Sequence, residues 1–458
     1  MTFGLYKKNH QNLRIIFGMS IFTFLTYFII MFSPPLLAKI QPDSFDYING
    51  GSHRPYIYHM IINSLEFLNI DLVFFQIILM SLSIVYLSWV LFKKKFNLPC
   101  TLIFYILITT NIFYTSFPKT VLTESIFFSL INFAVAFLIN SKITPLLTFI
   151  YGLIIGLIFS IKPIGMLIAL ILLIFYFTSF DFKKKLLLFL SSFFIPILVE
   201  SYFFSQEHNE RESLLPTIVR GKLFLLSGKD SFDIDRYPDD YRELLETTKN
   251  EYFKVLNFIS KQKKIFLRSE LLADYEVVAQ TQTFNLESIK KLNFDKTKLN
   301  NEFDVLALNL VKNNFFDLAN LSFSHYLGNW SIGSKFVFFD KELKNVNHKI
   351  PKIEQLIKSS GPINLPNLKL LILAQYFFIS LLLVLTIFTI LVFFQKIKLL
   401  KVNLDSLDFF SIISVQCYLI SVSIINVSTP RYLMAIYPLL IILLIRFAIL
   451  FLTFTKKT

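Results

Sequence analysis

Lys119, Lys162 and Arg431 carry the clearest chemical signal in this chain. Each lies at the end of a hydrophobic stretch and beside a proline, in Phe117-Pro118-Lys119, Lys162-Pro163 and Pro430-Arg431. The segment 39–71 supplies carboxylates, Asp43 and Asp46, followed by His53 and Arg54. Lysine offers a phosphate a compact charge, and arginine a planar fork that grips two oxygens at once. A carboxylate among them is placed to take the proton of an attacking hydroxyl. The pattern therefore points to a phosphate-bearing lipid held at a membrane edge, with Asp43 as general base. The competing reading of Asp43 is a cap for a short helix beginning at Ser44.

Glu124, in Leu122-Thr123-Glu124-Ser125, falls in the first turn of a hydrophobic helix, after Pro118 and a candidate cap at Thr120. An acid there complements the helix dipole. An ionisable group at the membrane edge of a span is also a functional candidate, orienting an acceptor or pairing with Arg54 or Lys162. Both readings stand at this stage. Asp46, Tyr47, His53, Arg54 and Tyr432 are the candidate substrate contacts. No His/Cys cluster surrounds His53 and two acids are too few for a metal centre, so no metal site is expected.

These residues need a scaffold, and composition identifies it. Of 458 residues, 54% are hydrophobic, 17% are charged and 54 are Phe, and the mean hydropathy is +0.60. Such values lie far outside globular averages and specify an all-α integral membrane protein. Apolar runs near the required length of about 20 residues fall at 15–37, 72–92, 98–114, 121–139, 146–161, 164–180, 186–204, 368–394, 409–427 and 432–454. That makes about ten transmembrane helices. With the N-terminus inside, the clusters Lys7/Lys8, Lys93/Lys94/Lys95, Lys183/Lys184/Lys185, Lys396/Lys398/Lys401 and Lys456/Lys457 all fall on the cytoplasmic side, as the positive-inside rule requires. Both termini are then cytoplasmic, whereas Lys119, Lys162 and Arg431 face outward. The first run is too long for a signal-peptide core and reads as a retained anchor, despite a weak cleavage pattern at Leu36-Leu37-Ala38.

The expected organisation is residues 1–204 with seven spans, an outward region over 205–367, and residues 368–458 with the remaining spans. The first outer loop carries the site. In it, His59, Asn63 and Glu66 form a polar stripe on an otherwise apolar helix over 57–70, expected along the interface. Within the outward region, Leu306, Leu310, Phe315, Leu318, Leu321 and Tyr326 recur at helical spacing, with Leu308 just off the face, predicting one helix over 301–330 on the membrane surface. There is no internal repeat and no Gly/Ser linker. Cys100 and Cys417 both lie in apolar runs and imply no disulfide framework. The net charge of +14 is accounted for by the flanking lysine clusters, so no nucleic-acid partner is implied.

Asp43-Ser44-x-x-Tyr47 followed by Arg54-Pro55-x-x-Tyr58, the Leu122-Thr123-Glu124-Ser125 segment, the stretch from Gly152 to Lys162-Pro163, and Pro430-Arg431-Tyr432 leading to Pro438 together resemble the GT-C superfamily of polytopic glycosyltransferases. The likeness is to the bacterial branch related to protein O-mannosyltransferases and lipid A aminoarabinose transferases. It implies a multi-pass enzyme of the bacterial cytoplasmic membrane that moves a sugar from a polyprenyl-phosphate donor to an envelope glycan, lipid or protein. In that superfamily the acid of the first outer loop is the catalytic base, here Asp43, and basic residues at outer helix ends hold the carrier phosphate, here Lys162 and Arg431, with Lys119 alongside. The resemblance fixes no cofactor and leaves a divalent cation open, because some members have two adjacent acids where this chain has Asp43-Ser44. The alternatives are a flippase or transporter of a lipid-linked saccharide and a polysaccharide polymerase. A transporter should show polar groups near the centres of several spans, whereas these centres read mostly Phe, Ile and Leu.

Overall fold

The computed structural model describes residues 2–140, 144–179, 185–331, 368–396 and 404–455, and every regular element among them is a helix. Lys183, Lys184, Lys398, Lys401, Lys456 and Lys457, and the part of the expected outward region from residue 332 to 367, lie outside the described residues. The first helices are α1 (Thr2–Phe32), α2 (Pro42–Ile48), α3 (Tyr56–Phe67), α4 (Leu72–Lys94) and α5 (Leu98–Thr109). They are followed by α6 (Ile112–Ser116), α7 (Glu124–Ile139), α8 (Pro145–Ile161), α9 (Gly165–Ser179) and α10 (Leu186–Glu207). A second body comprises α11 (Leu215–Ser227), α12 (Arg242–Ser260), α13 (Ile265–Gln282), α14 (Glu287–Lys290), α15 (Lys296–Asn301), α16 (Phe303–Asn313) and α17 (Phe315–Gly328). The chain then returns to the first body in α18 (Leu368–Lys396), α19 (Ser406–Ile425), α20 (Pro430–Ala435) and α21 (Tyr437–Thr455).

Among the described residues four helices, α4, α10, α18 and α19, are long and apolar enough to cross a membrane, and α5 with segment 112–119 adds a fifth if its 54° bend is taken within one span. α7, α8, α9 and the apolar parts of α1 and α21 are shorter. Local chemistry explains the breaks. Asn111 starts a new helix because its Oδ1 accepts from the N–H groups of Phe113 and Tyr114 at 3.0 and 3.2 Å. Lys162 is extended, with φ −153° and ψ 129°, as a residue before proline prefers. The run over 432–454 is likewise divided at Ile436, two residues before Pro438, whose ring cannot continue the preceding turn.

The tightest helix pair is α8 with α10. A Cβ added to Gly152 would lie 2.0 Å from Ser192 Oγ, and one on Gly156 would lie 2.3 Å from the Phe193 carbonyl. Two glycines four residues apart thus let the backbones touch, a common device of helices packed in lipid. Pro196, inside α10, packs its ring on Gly156.

The second body has its own core, built on Phe224, Leu245, Leu267, Leu271 and Leu306. Here the single helix expected over 301–330 is corrected: it is two helices, α16 and α17, broken at Asn314. Leu306, Leu310 and Leu321 are buried in this core, so protein rather than lipid covers half of the residues the spacing picked out. Phe315 of that face is exposed at 58%, and off it Leu308 is exposed at 68% and Phe316 at 81%. Helical spacing reports which face is buried and not what buries it.

Candidate functional site

At one end of the bundle the loops between helices converge, and the residues singled out by chemistry meet there. α2 starts at Pro42, whose fixed φ suits a first helical position. The Ser44 hydroxyl accepts the Gln41 N–H at 2.8 Å and donates to the Val121 carbonyl at 2.7 Å, while Val121 N–H donates to the Lys39 carbonyl at 2.8 Å. The first loop is thereby clamped to the segment that begins α7. Buried Gln76 of α4 holds that segment from below, donating to the Thr120 carbonyl at 2.9 Å and accepting from Tyr58 at 3.2 Å. From the other side, Glu200 of α10 accepts the Tyr56 N–H at 2.9 Å, and His208 donates to the Gly50 carbonyl at 2.6 Å. Gly50 has φ +65°, a conformation that favours glycine.

Asp43 does not cap α2. Its carboxylate sits within the first turn and takes a guanidinium on each oxygen: Arg54 Nη2 on Oδ1 at 2.8 Å and Arg431 Nη1 on Oδ2 at 3.3 Å. Arg54 also reaches Asp46 at 3.4 Å, and His53 Nε2 approaches the same Asp46 oxygen at 3.0 Å. Lys162 Nζ donates to Glu124 Oε1 at 2.7 Å, and Arg431 Nε lies 3.7 Å from that oxygen. Arg431 therefore bridges the carboxylate of the first loop and the acid that opens α7. Glu124 is almost fully buried, while Asp43 and Arg431 keep 30% and 32% of their side-chain surface exposed. The array is an alternation of acids and bases.

Aromatic rings frame it. Lys162 stands over the Tyr432 ring at 5.2 Å, and Arg54 over the Tyr47 ring at 5.5 Å, cation–π distances that orient both cations. Tyr432 is fixed in turn by Asn426, whose amide donates to its hydroxyl at 2.6 Å. Burial first, and then the charge of Glu124, push the Tyr47 phenol up to about 12, so it stays protonated. Burial weighs against the Arg54 charge, yet the group is raised overall, with the carboxylates of Asp43 and Asp46 beside it.

Nine of the ten residues expected from sequence thus stand together. Lys119 does not join them. Its ammonium donates to the Ser33 carbonyl and to Ser33 Oγ, closing the end of α1 as lysines often do at helix C-termini. It lines a separate cavity of about 570 Å³ with Tyr27, Lys39 and Asp71. Thr120 is not the cap of α7 either: its hydroxyl donates to the Phe117 carbonyl at 2.8 Å, and α7 begins after Thr123. His59 and Asn63 bond to one another at 2.9 Å, and His59 Nδ1 donates to the Tyr47 carbonyl at 3.2 Å, so of the polar stripe on α3 His59 is buried while Asn63 and Glu66 are exposed.

Sequence reading missed Tyr418. It is wholly buried in α19, within electrostatic reach of Tyr432, Glu124 and Arg431, and its hydroxyl has no hydrogen-bond partner. Arg431 Nε, Thr429 Oγ1 and Ser125 Oγ are also buried without a partner. Unmatched polar atoms are uncommon in protein interiors, and these belong to the site or adjoin it in sequence. Tyr418 lies in the apolar run Gln416-Cys417-Tyr418, where nothing in the pattern marks it. Among the described residues no group of three or more His, Cys, Asp or Glu is arranged to hold a metal ion. No family model, no curated protein and no solved structure matches this chain.

Proposed function

We propose that the protein is a membrane glycosyltransferase that takes its sugar from a polyprenyl-phosphate carrier, with about ten spans in a GT-C-like arrangement and its site on the outer face of a bacterial cytoplasmic membrane. The observation that carries this reading is Arg431, shared between Asp43 and Glu124 with an unmatched Nε. An arginine so divided has hydrogen-bonding capacity to give a phosphate, and its planar fork suits that geometry. Lys162 and Arg54 flank it. On this reading the donor phosphate engages Arg431 and Lys162, and Arg431 leaves Asp43 Oδ2 free.

The freed oxygen can then accept a proton. An acceptor hydroxyl attacks the anomeric carbon from the face opposite the phosphate, its proton passes to Asp43, and the carbon–oxygen bond to the phosphate breaks. The products are the inverted glycoside and the polyprenyl phosphate. Charge grows on the leaving phosphate in the transition state, where fixed cations stabilise it most. Glu124 keeps Lys162 and Arg431 in register, while Tyr47, Asp46, His53 and Tyr432 shape the approach of sugar and acceptor. The acceptor class is an envelope glycan, lipid or protein.

A flippase or transporter of a lipid-linked saccharide is the rival that also needs outward cations. Polar groups deep in the bundle do occur, and Asn132 donates to Ser83 Oγ and to Tyr114 OH, each at 3.0 Å. They are neutral and bond mainly to one another, which suits helix association. The test is sugar transfer from purified polyprenyl-phosphate donors by the protein in nanodiscs. Transfer by wild type and none by Asp43→Asn supports the enzyme; translocation of labelled lipid without transfer supports the rival.

A further inference from the structure

Lys222, Glu276 and His325 form a buried chain inside the second body, remote in sequence from the candidate site. Lys222 of α11 donates to Glu276 Oε1 of α13 at 2.8 Å, and His325 Nε2 of α17 lies 2.6 Å from Glu276 Oε2. Glu276 and His325 are completely buried. The other ring nitrogen, Nδ1, lies 3.4 Å from both the backbone N and the Oγ of Ser428. Ser428 stands in the link between α19 and α20, three residues before Arg431.

The hydrogen positions follow from which atoms can only donate. A backbone N–H has no acceptor capacity, so Nδ1 must present its lone pair to Ser428. Nε2 then carries the ring hydrogen and donates to Glu276, whose charge Lys222 balances. Burial, the largest influence on His325, pushes its pKa down and keeps the ring neutral; burial also works against the Glu276 charge, which His325 and Lys222 together restore. The imidazole is an oriented acceptor aimed at the link.

Two more contacts seat the same link on α17. The Thr429 N–H donates to Asn329 Oδ1 at 3.2 Å, and Asn329 Nδ2 donates to Ser423 Oγ at 3.3 Å. Gly328 leaves the space the link occupies, since a Cβ there would lie 2.2 Å from Ser428 Oγ. Thus backbone donors of Ser428 and Thr429, immediately before Pro430 starts α20, are both held by side chains of the second body.

We propose that His325 and Asn329 are positioning residues for Arg431, so that the outward region completes the site instead of merely adjoining it. The inference rests on the proposal that Arg431 holds a lipid phosphate. It implies that the reach of Arg431 toward Asp43 and Glu124 depends on how firmly α17 holds the link.

Two neutral substitutions separate this role from a purely structural one. His325→Asn keeps a polar atom near the Nδ1 position and gives up the Glu276 contact, whereas His325→Gln does the reverse. The full chain in nanodiscs is examined by amide hydrogen exchange over 426–436 and by binding of a fluorescent polyprenyl phosphate, with Asn329→Leu alongside. Positioning predicts that His325→Gln and Asn329→Leu speed exchange at Ser428 and Thr429 by roughly five- to tenfold and weaken lipid binding, while His325→Asn stays near wild type in both. Greater damage from His325→Asn than from His325→Gln would overturn the proposal by placing the role of His325 in the Glu276 contact. Faster exchange with unchanged lipid binding would overturn it too. Wild type that binds no lipid phosphate would instead remove the reading of Arg431 on which the inference rests, and the proposal with it.

Discussion

Charged groups pair at both ends of the helical bundle, and the two sets are built differently. At the end where α19 begins, Arg446 grips Asp408 with two parallel hydrogen bonds, both 2.8 Å, and Lys95 donates to Asp405 at 3.0 Å. Asp405 also caps α19 by accepting the N–H groups of Leu407 and Asp408, each at 2.9 Å. Asp408 is fully buried and each of its oxygens is engaged. At the end where α19 stops, Arg431 spans 3.3 Å to one acid and 3.7 Å to another, with Nε unmatched. The carboxylate of the first pair is engaged on both oxygens, whereas the second leaves a buried guanidinium nitrogen without a hydrogen bond, and that difference separates a structural clamp from a candidate site more sharply than burial or charge.

Substitutions should reproduce the contrast. Asp43→Asn retains size and much hydrogen bonding but removes the base, so sugar transfer should fall by roughly a hundredfold or more, with lipid binding intact; near-normal transfer would remove Asp43 as the base. For Arg431→Ala the expected loss in lipid-donor use is about tenfold or more, the scale of a hydrogen bond to a charged group. Arg431→Lys should recover only part, since the charge returns without the fork. Equal and full activity of both variants would make Arg431 a headgroup anchor.

Breaking the clamp should act on stability alone. Arg446→Met leaves Asp408 buried without its partner, costing about 3 kcal/mol, read as a lower midpoint of thermal unfolding; the protein that remains folded should transfer sugar normally. Reduced turnover per folded molecule would erase the distinction between the two ends. The smallest effect is expected for Lys119→Ala, whose ammonium serves Ser33: transfer should change by less than about twofold, within the range usual for substitutions away from a site. A loss comparable to that of Arg431→Ala would return Lys119 to the phosphate site.

The all-helical fold and the positions of its long apolar helices were readable from hydropathy, because an apolar run of the length a bilayer demands shows in the sequence itself. Gathering Asp43, Glu124, Lys162 and Arg431 was readable in part, since charged residues at the ends of apolar runs stand out from a hydrophobic background. Lys119 carried the same signal and lies elsewhere: a place at the end of an apolar run does not give position around the bundle. Tyr418 and the link to His325 gave no signal, as a tyrosine in an apolar run and a histidine in a helix are ordinary until the fold brings them against the site. The break at Asn314 was hidden because helical spacing continues across it.

The sidedness of the site has its own check. A cysteine introduced at Asp239 should react with an impermeant thiol reagent in intact cells, and one at Lys94 should not; reversed labelling would move the site to the cytoplasm. The most direct measurement is the structure of the protein in nanodiscs with a polyprenyl phosphate bound. The account predicts phosphate density between Arg431 and Lys162, with the Arg431 guanidinium drawn away from Asp43. Phosphate density in the cavity beside Lys119 and Lys39, with Arg431 still on Asp43, would contradict it.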